Sequence, residues 1–243
     1  MEGLLTGTFV AAAAVALVAG TVRGFAGFGA AMIMTPALSA LYGPGTGIAL
    51  CLLLEIAVAL PLLPRALPLV EWRRIVVLGG AAALLAPAGT WALTRIDPAP
   101  MRWLVSAIVL LAVALLASGW RFRGRPSTGA TIVAGASSGF LNGLSGMAGP
   151  PIAFYYLAGQ DEAARVRANL TTYFVVVDLA ALASFGANGL LSTDLGLHGL
   201  ALAPAVVVGG LLGERLFPLA SEAFYRRLAL ILLTAVAIGA LIV

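Results

Sequence analysis

The sequence predicts an all-α, polytopic membrane protein built from two inverted repeats of about five helical elements each. Hydrophobic residues occupy 61% of the 243 positions and charged residues only 10%, whereas soluble domains carry about 25% charged residues. The chain also repeats itself at an offset of 119 residues. Glycine and proline interrupt its apolar stretches at corresponding places in both halves, which is typical of transporter binding sites.

Ten apolar stretches define the predicted elements, and the length allows about eight to ten spans of about 20 residues. The second and seventh stretches are short and open with glycine or proline, so we expect broken or re-entrant helices there. The predicted organisation is a first repeat over 1–120, a linker over 121–128 and a second repeat over 129–243. The stretches run roughly over 4–22, 27–41, 46–64, 74–94, 102–120, 129–146, 149–158, 168–187, 198–214 and 228–243.

Arginine supplies all 14 positive charges, and arginine in short loops marks the cytoplasmic side of a membrane protein. If all ten elements alternate sides, eleven arginines fall on one side and only Arg95 and Arg102 on the other, with Arg23 at a helix break. If the short elements do not cross, the count becomes about six against seven, which is no bias. The arginines therefore favour inverted repeats in a multi-pass protein of the cytoplasmic (inner) membrane, with both termini outside.

The repeat is clearest in its glycines. Small residues four positions apart let helices approach closely, so we expect the earlier glycines of each run to serve packing. These are Gly20 and Gly24, matched by Gly139 and Gly143. The later glycines precede the short elements, where free backbone amides at a helix N-terminus can hold an anion. These candidates for substrate binding are Gly27, Gly29, Gly146 and Gly149.

Polar side chains near the two breaks extend this candidate site. Arg23 and Asn142 occupy equivalent positions, and a guanidinium with an amide opposite it suits a sulfite or sulfonate oxygen face. The alternative for Arg23 is an interfacial arginine whose head group reaches the lipid headgroups. Further candidates are hydroxyl and amide groups that could equally bond to their own helix backbone. They are Ser145, Asn169 and Thr172.

Two carboxylates, Glu55 and Asp178, lie near the middle of apolar spans. The offset places each acid one helical turn from the counterpart of the other, so they project from equivalent faces of equivalent helices. Ionisable groups within the membrane mark proton relays and coupling sites, so we expect Asp178, with Glu55, to exchange protons. The alternative is that each acid is neutralised by hydroxyl groups or a neighbouring arginine.

Two stretches carry a resemblance to a known family. Residues 28–38 read Phe-Gly-Ala-Ala-Met-Ile-Met-Thr-Pro-Ala-Leu, and residues 139–152 read Gly-Phe-Leu-Asn-Gly-Leu-Ser-Gly-Met-Ala-Gly-Pro-Pro-Ile. They resemble the signature stretches of the TauE/SafE sulfite exporter family, which consists of duplicated membrane transporters. Alanine and proline replace several glycines of the full pattern here. The resemblance implies a secondary transporter, in the role of an exporter, of sulfite, an organosulfonate or another sulfur-containing anion.

A rival hypothesis is a rhomboid-like intramembrane serine protease that uses Ser145 and His198, since residues 143–146 read Gly-Leu-Ser-Gly. Against it, the first repeat has the same glycines with Ala26 in place of the serine, so duplication explains the motif without catalysis. A scaffold or sensor without transport has no receiver domain or interaction tail to favour it. We therefore expect no enzyme, no cofactor and no metal.

The expected partners are a small anion and the lipid bilayer, and the sequence permits a homodimer. A nucleic-acid surface would need a clustered basic face, which scattered loop arginines do not provide.

Overall fold

The structure is a computed structural model that describes residues 7–95, 126–159, 161–221, 223–225, 227–228 and 231. Eight α-helices and two short 3-10 turns make up this part of the chain, and no strand occurs among these residues. The fifth predicted element (102–120), most of the tenth (228–243) and most of the linker (121–128) lie outside the described residues. The helices are α1 (Gly7–Ala26), α2 (Ala30–Tyr42), α3 (Pro44–Ala66), α4 (Trp72–Arg95), α5 (Thr128–Ser145), α6 (Gly149–Leu157), α7 (Ala163–Ala187) and α8 (Thr193–Leu216).

Five helical segments are long and apolar enough to cross a membrane, which confirms the prediction of an all-α polytopic membrane protein. They are Gly7–Ala26, Pro44–Leu69, Trp72–Arg95, Ala163–Ala187 and Thr193–Leu219. The two elements predicted to be short are short: α2 has 13 residues and α6 has nine. At the 1.5 Å rise of an α-helix, neither spans the roughly 30 Å of a hydrocarbon core.

Glycines terminate the helices that precede both short elements. Gly27, Gly29 and Gly146 all have φ between +67° and +98°, a conformation that side chains with a Cβ rarely adopt. Gly29 then begins α2, while Pro150 and Pro151 stand in the first turn of α6, where a missing N–H costs nothing. The helical structure is therefore interrupted over 27–29 and 146–148, where glycine and proline end one helix and begin the next.

Helices of one half pack mainly on helices of the other half. The most extensive contacts join α1 to α8 and α4 to α5. The glycines on α1 and α5 allow this close packing of helix on helix. A Cβ on Gly24 would collide with the backbone of Gly210, and one on Gly143 with the backbone of Ala86. The predicted packing role of Gly20, Gly24, Gly139 and Gly143 is thus confirmed, since all four meet backbone atoms of the neighbouring helix.

The order of these contacts also gives the helix directions. Gly20 meets Val206 and Gly24 meets Gly210, so α1 and α8 run in the same direction. In the same way, the contacts of α5 show that it runs parallel to α4. Helix α8 ends at the same end of the bundle at which α4 begins. Since α1 runs with α8 and α5 runs with α4, α1 and α5 run in opposite directions.

Ion pairs gather at one end of the bundle, here called the arginine-rich end. They join the C-terminus of α3, the N-termini of α4 and α7, the C-terminus of α8 and the connection between α6 and α7. The pairs are Arg65–Glu214 (2.6 Å), Arg74–Asp161 (2.6 Å), Arg74–Glu71 (2.8 Å), Arg165–Glu71 (3.5 Å) and Arg167–Glu214 (3.8 Å). Four of the eleven arginines that fall on one side when all ten elements cross the membrane therefore lie together at this end.

Candidate functional site

Arg23 lies inside the protein, three residues before the end of α1, and only 1% of its surface is exposed. Its Nε atom is 3.1 Å from Oε2 of Glu55 on α3, while Nη1 donates a hydrogen bond of 2.5 Å to the carbonyl oxygen of Gly27. The guanidinium also stacks on Phe174 of α7, with Cζ 4.3 Å from the ring centroid. This burial excludes the alternative of an arginine that reaches the headgroups.

The contact between Arg23 and Glu55 is an ion pair without a well-aligned hydrogen bond. Nε and Oε2 are close enough to attract each other, but within the described part of the chain neither atom makes a hydrogen bond of good geometry, and Arg23 Nη2 has no partner. Buried charged atoms are normally satisfied, since leaving one without a partner is costly. Arg23 therefore has donors to spare at the centre of the protein.

The second half contains a matching pair. Nδ2 of Asn142, near the end of α5, donates a hydrogen bond of 2.9 Å to Oδ1 of Asp178 on α7. Both side chains are buried, and Asn142 Oδ1 and Asp178 Oδ2 have no hydrogen-bond partner among the residues described. Arg23 and Glu55 interact electrostatically with the Asp178 carboxyl. The two predicted carboxylates thus belong to one polar cluster.

The 119-residue offset relates the members of this cluster. Arg23 corresponds to Asn142, and each holds a carboxylate on the long helix that follows the short element of its own half. Phe174, on which Arg23 stacks, is the counterpart of Glu55. The guanidinium therefore touches the same position in both halves, and the cluster lies where α1, α3, α5 and α7 meet.

Helix α2 connects the cluster to the second break. Its N-terminus begins at Gly29, without a side-chain cap, and its Thr35 hydroxyl lies 3.4 Å from where a Cβ on Gly146 would stand. A Cβ on Gly149, at the start of α6, would lie 2.8 Å from Met32 Cε. The first turn of α2 thus has buried backbone amides without a side-chain cap. In the first turn of α6, Pro150 and Pro151 have no N–H, which leaves Gly149 as the N–H donor ahead of them.

Two of the predicted polar residues make their hydrogen bonds elsewhere, and a third makes none within the described ranges. Ser145 Oγ donates to the carbonyl oxygen of Leu141 on its own helix (2.9 Å). Asn169 Oδ1 accepts a hydrogen bond of 2.8 Å from the backbone N–H of Glu71, at the arginine-rich end. Thr172 is buried, and its Oγ1 has no partner within the described ranges. The contacts therefore join Arg23, Gly27, Glu55, Asn142 and Asp178, but not Ser145 or Asn169.

Sequence reasoning missed three neighbours of the cluster. Phe174 supports the guanidinium, and the repeat would have identified it as the counterpart of Glu55. The Thr35 hydroxyl lies beside the thiol of Cys51, which interacts electrostatically with Glu55. Neither Thr35 nor Cys51 has a polar residue at its counterpart, Phe154 or Leu170, so no pattern in the chain marks them.

The geometry does not support the protease hypothesis. Ser145 is hydrogen-bonded to Leu141, and Nδ1 of His198 lies 2.8 Å from the carbonyl oxygen of Asp194. Each side chain is thus engaged with its own helix. A serine nucleophile requires a base within hydrogen-bond reach.

Five helices long and apolar enough to cross a membrane define a multi-pass membrane protein, and charged side chains are buried between its helices. A family model described as sulfite exporter TauE/SafE matches residues 12–240. The chain therefore belongs to the TauE/SafE family of membrane transporters, as its two signature stretches predict. No curated protein and no solved structure among those compared matches it.

Proposed function

We propose that this protein is a secondary transporter that exports sulfite, an organosulfonate or a similar sulfur-containing oxyanion across the cytoplasmic membrane. The observation that carries the proposal is the buried Arg23 guanidinium, whose Nη2 has no partner within the described part of the chain. A cation in the membrane interior is costly and marks a pathway for ions or substrate. Membership of a transporter family supports the same function.

The anion would bind between the two helix breaks. Arg23 would contribute charge-assisted hydrogen bonds to an oxygen face, and Asn142 its amide. The uncapped amides that follow Gly27 and Gly29 would add the partial positive charge of the α2 N-terminus. At the second break the amides of Gly146 and Gly149 would contribute, since Pro150 and Pro151 have none. The opposite directions of α1 and α5 support a pair of inverted repeats around this site, an arrangement found in many alternating-access transporters.

Proton coupling follows from the charges of the cluster. With both acids ionised, Arg23, Glu55 and Asp178 sum to one negative charge, which would repel an anion. A proton on Asp178 would remove this charge, and Asp178 Oδ2, which has no hydrogen-bond partner among the described atoms, would receive it. We therefore propose that the anion and a proton move together. The arginine-rich end would face the cytoplasm, in agreement with the loop-charge rule.

Reconstitution into liposomes tests this function directly. The expected result is flux of sulfite, thiosulfate or a simple sulfonate that increases when a pH gradient is imposed in the same direction. Chloride tests selectivity among anions, and taurine tests whether a zwitterion is accepted. Liposomes that pass none of the sulfur-containing anions faster than protein-free liposomes would contradict the proposal.

A further inference from the structure

We infer that Glu55 is an internal competitor of the substrate: its carboxylate occupies Arg23 when the site is empty, and a bound oxyanion takes its place while Glu55 takes up a proton. The inference rests on the proposed function and adds to it a residue that controls affinity. The geometry points to it through the ion pair between Arg23 Nε and Glu55 Oε2, 3.1 Å apart at a site with no more than 3% exposure.

A carboxylate and a sulfonate present the same chemistry to a guanidinium, since each offers it hydrogen-bond acceptor oxygens that share one negative charge. The carboxylate has two such oxygens and the sulfonate three. Glu55 therefore already makes the contact that the anion would make. The two cannot share the guanidinium at full charge, because an extra negative charge in hydrocarbon is strongly unfavourable.

The looseness of the pair makes the exchange feasible. Nε and Oε2 attract each other without an aligned hydrogen bond, whereas Nη1 is held by Gly27 and the guanidinium is supported by Phe174. Arg23 would thus keep its position when Glu55 leaves. The side chain that moves is the carboxylate, since its Oε2 has no hydrogen bond within the described residues.

The surroundings of Glu55 leave few other groups to titrate. Arg23 reaches it from α1, Asp178 lies across from it on α7, and Cys51 lies one turn away on α3. Helix α2 has no ionisable residue except Tyr42 at its end, and Glu214 and Arg215 of α8 belong to the arginine-rich end. Among the described residues the next cation is Arg167 of α7, which donates a hydrogen bond to the Gly24 carbonyl oxygen and pairs with Glu214. Arg167 is thus already engaged, and a carboxylate displaced from Arg23 would be protonated.

The charges balance over one cycle. With Asp178 protonated in both states, the empty site contains the Arg23 cation and the Glu55 carboxylate. The loaded site contains the cation, the anion and a neutral Glu55 carboxyl group, which receives its proton by way of Asp178. One monoanion and one proton enter together, and when the anion leaves, the proton leaves Glu55 and the ion pair reforms. Transport of a monoanion would then carry no net charge.

The experiment measures equilibrium binding of methanesulfonate to the purified protein in detergent between pH 6 and pH 8. Methanesulfonate stays a monoanion over this range, so any pH dependence belongs to the protein. For the wild type, affinity should fall as pH rises, by up to about tenfold per unit for one proton taken up. Glu55→Gln should bind more tightly at pH 8 and lose this dependence.

Three further variants show whether the pH dependence belongs to Glu55 or to another acid. Glu55→Asp keeps a carboxylate and should retain the pH dependence, and Glu214→Gln, which removes another buried glutamate at the arginine-rich end, should behave like the wild type. Asp178→Asn should retain the pH dependence of binding if Glu55 is the group that takes up the proton.

Two results would overturn the inference. If Glu55→Gln binds with the same pH dependence as the wild type, Glu55 does not compete with the anion, although the proposed transport stands. If the wild type binds neither methanesulfonate nor sulfite at any pH, the proposed function fails and the inference with it. Comparison of melting temperatures shows whether each variant is folded.

Discussion

Replacing Arg23 by alanine is the most direct test of the candidate site. The guanidinium has one donor without a partner and a second that is only loosely paired, so at least one charge-assisted hydrogen bond to an anion would be lost. Such a bond contributes about 1.5–3 kcal/mol, which corresponds to about 10- to 150-fold in affinity. We therefore expect Arg23→Ala to weaken anion binding by at least about tenfold.

The same substitution leaves Glu55 buried without its cation, and breaking one side of a buried pair costs about 3–5 kcal/mol of stability. A loss of anion binding could then reflect a loss of folding. The double variant Arg23→Ala with Glu55→Gln removes both charges and should recover much of the thermal stability. It should not recover anion binding, because the guanidinium is still missing.

The assay measures how far an added anion raises the melting temperature of each variant in detergent. Variants that remain folded are then tested for anion flux in liposomes. Arg165→Ala is the control, since its side chain is 47% exposed and lies at the arginine-rich end. Arg23→Lys keeps the charge but not the fork of donors, and we expect intermediate affinity. If Arg23→Ala and Arg165→Ala bind and transport anions equally well, Arg23 is a structural residue and the proposed site is wrong.

Three other predictions concern coupling, packing and orientation. Asp178→Asn should permit exchange of anion for anion but lose uptake driven by a pH gradient, because Asp178 would pass the proton to Glu55 during transport, whereas equilibrium binding needs no relay. A full response to the gradient in this variant would show that Asp178 only supports structure. Gly24→Ala should lower thermal stability, by about 1–3 kcal/mol, because the new methyl group would meet the backbone of Gly210. Gly80→Ala should be neutral or stabilising, because an added Cβ there would meet no described residue outside its own turn of helix within 4 Å. Equal melting temperatures of Gly24→Ala and Gly80→Ala would refute the packing argument. In a Cys51→Ala background, an impermeant thiol reagent should label Leu191→Cys on intact cells but Leu69→Cys only after permeabilisation; the reverse pattern would contradict a cytoplasmic arginine-rich end.

The sequence predicted the long helices well because length and hydropathy determine whether a segment can span a membrane. The ends of the helices were less predictable. Helix α1 continues to Ala26, beyond the predicted end at residue 22, because Arg23 finds a partner inside the protein. Helix α7 begins at Ala163 rather than at residue 168, since its first turns contain Arg165 and Arg167, which pair with acids of other helices.

Which side chains pair with each other could not be predicted from the sequence, for a different reason. Arg23 and Glu55 are 32 positions apart on different helices, so their contact depends on the rotation of α1 against α3, which periodicity alone does not determine. The repeat predicted that Arg23 and Asn142 are equivalent and that both carboxylates lie on equivalent faces. It gave no indication that helices of one half would pack mainly on helices of the other.

An ion pair at the centre of a membrane protein needs an explanation beyond stability, because replacing such a pair by apolar side chains is often neutral or stabilising. With a proton on Asp178, the pair between Arg23 and Glu55 makes the empty site neutral, so the empty protein can change conformation without carrying a bare charge through hydrocarbon. A bound anion with a protonated Glu55 makes the loaded site equally neutral. The intermediate states, an unpaired guanidinium or an anion beside an ionised Glu55, leave a net charge and are strongly disfavoured. If only the two neutral states can reorient, anion and proton must cross together, and leakage of either alone is suppressed by the same two side chains that bind the substrate.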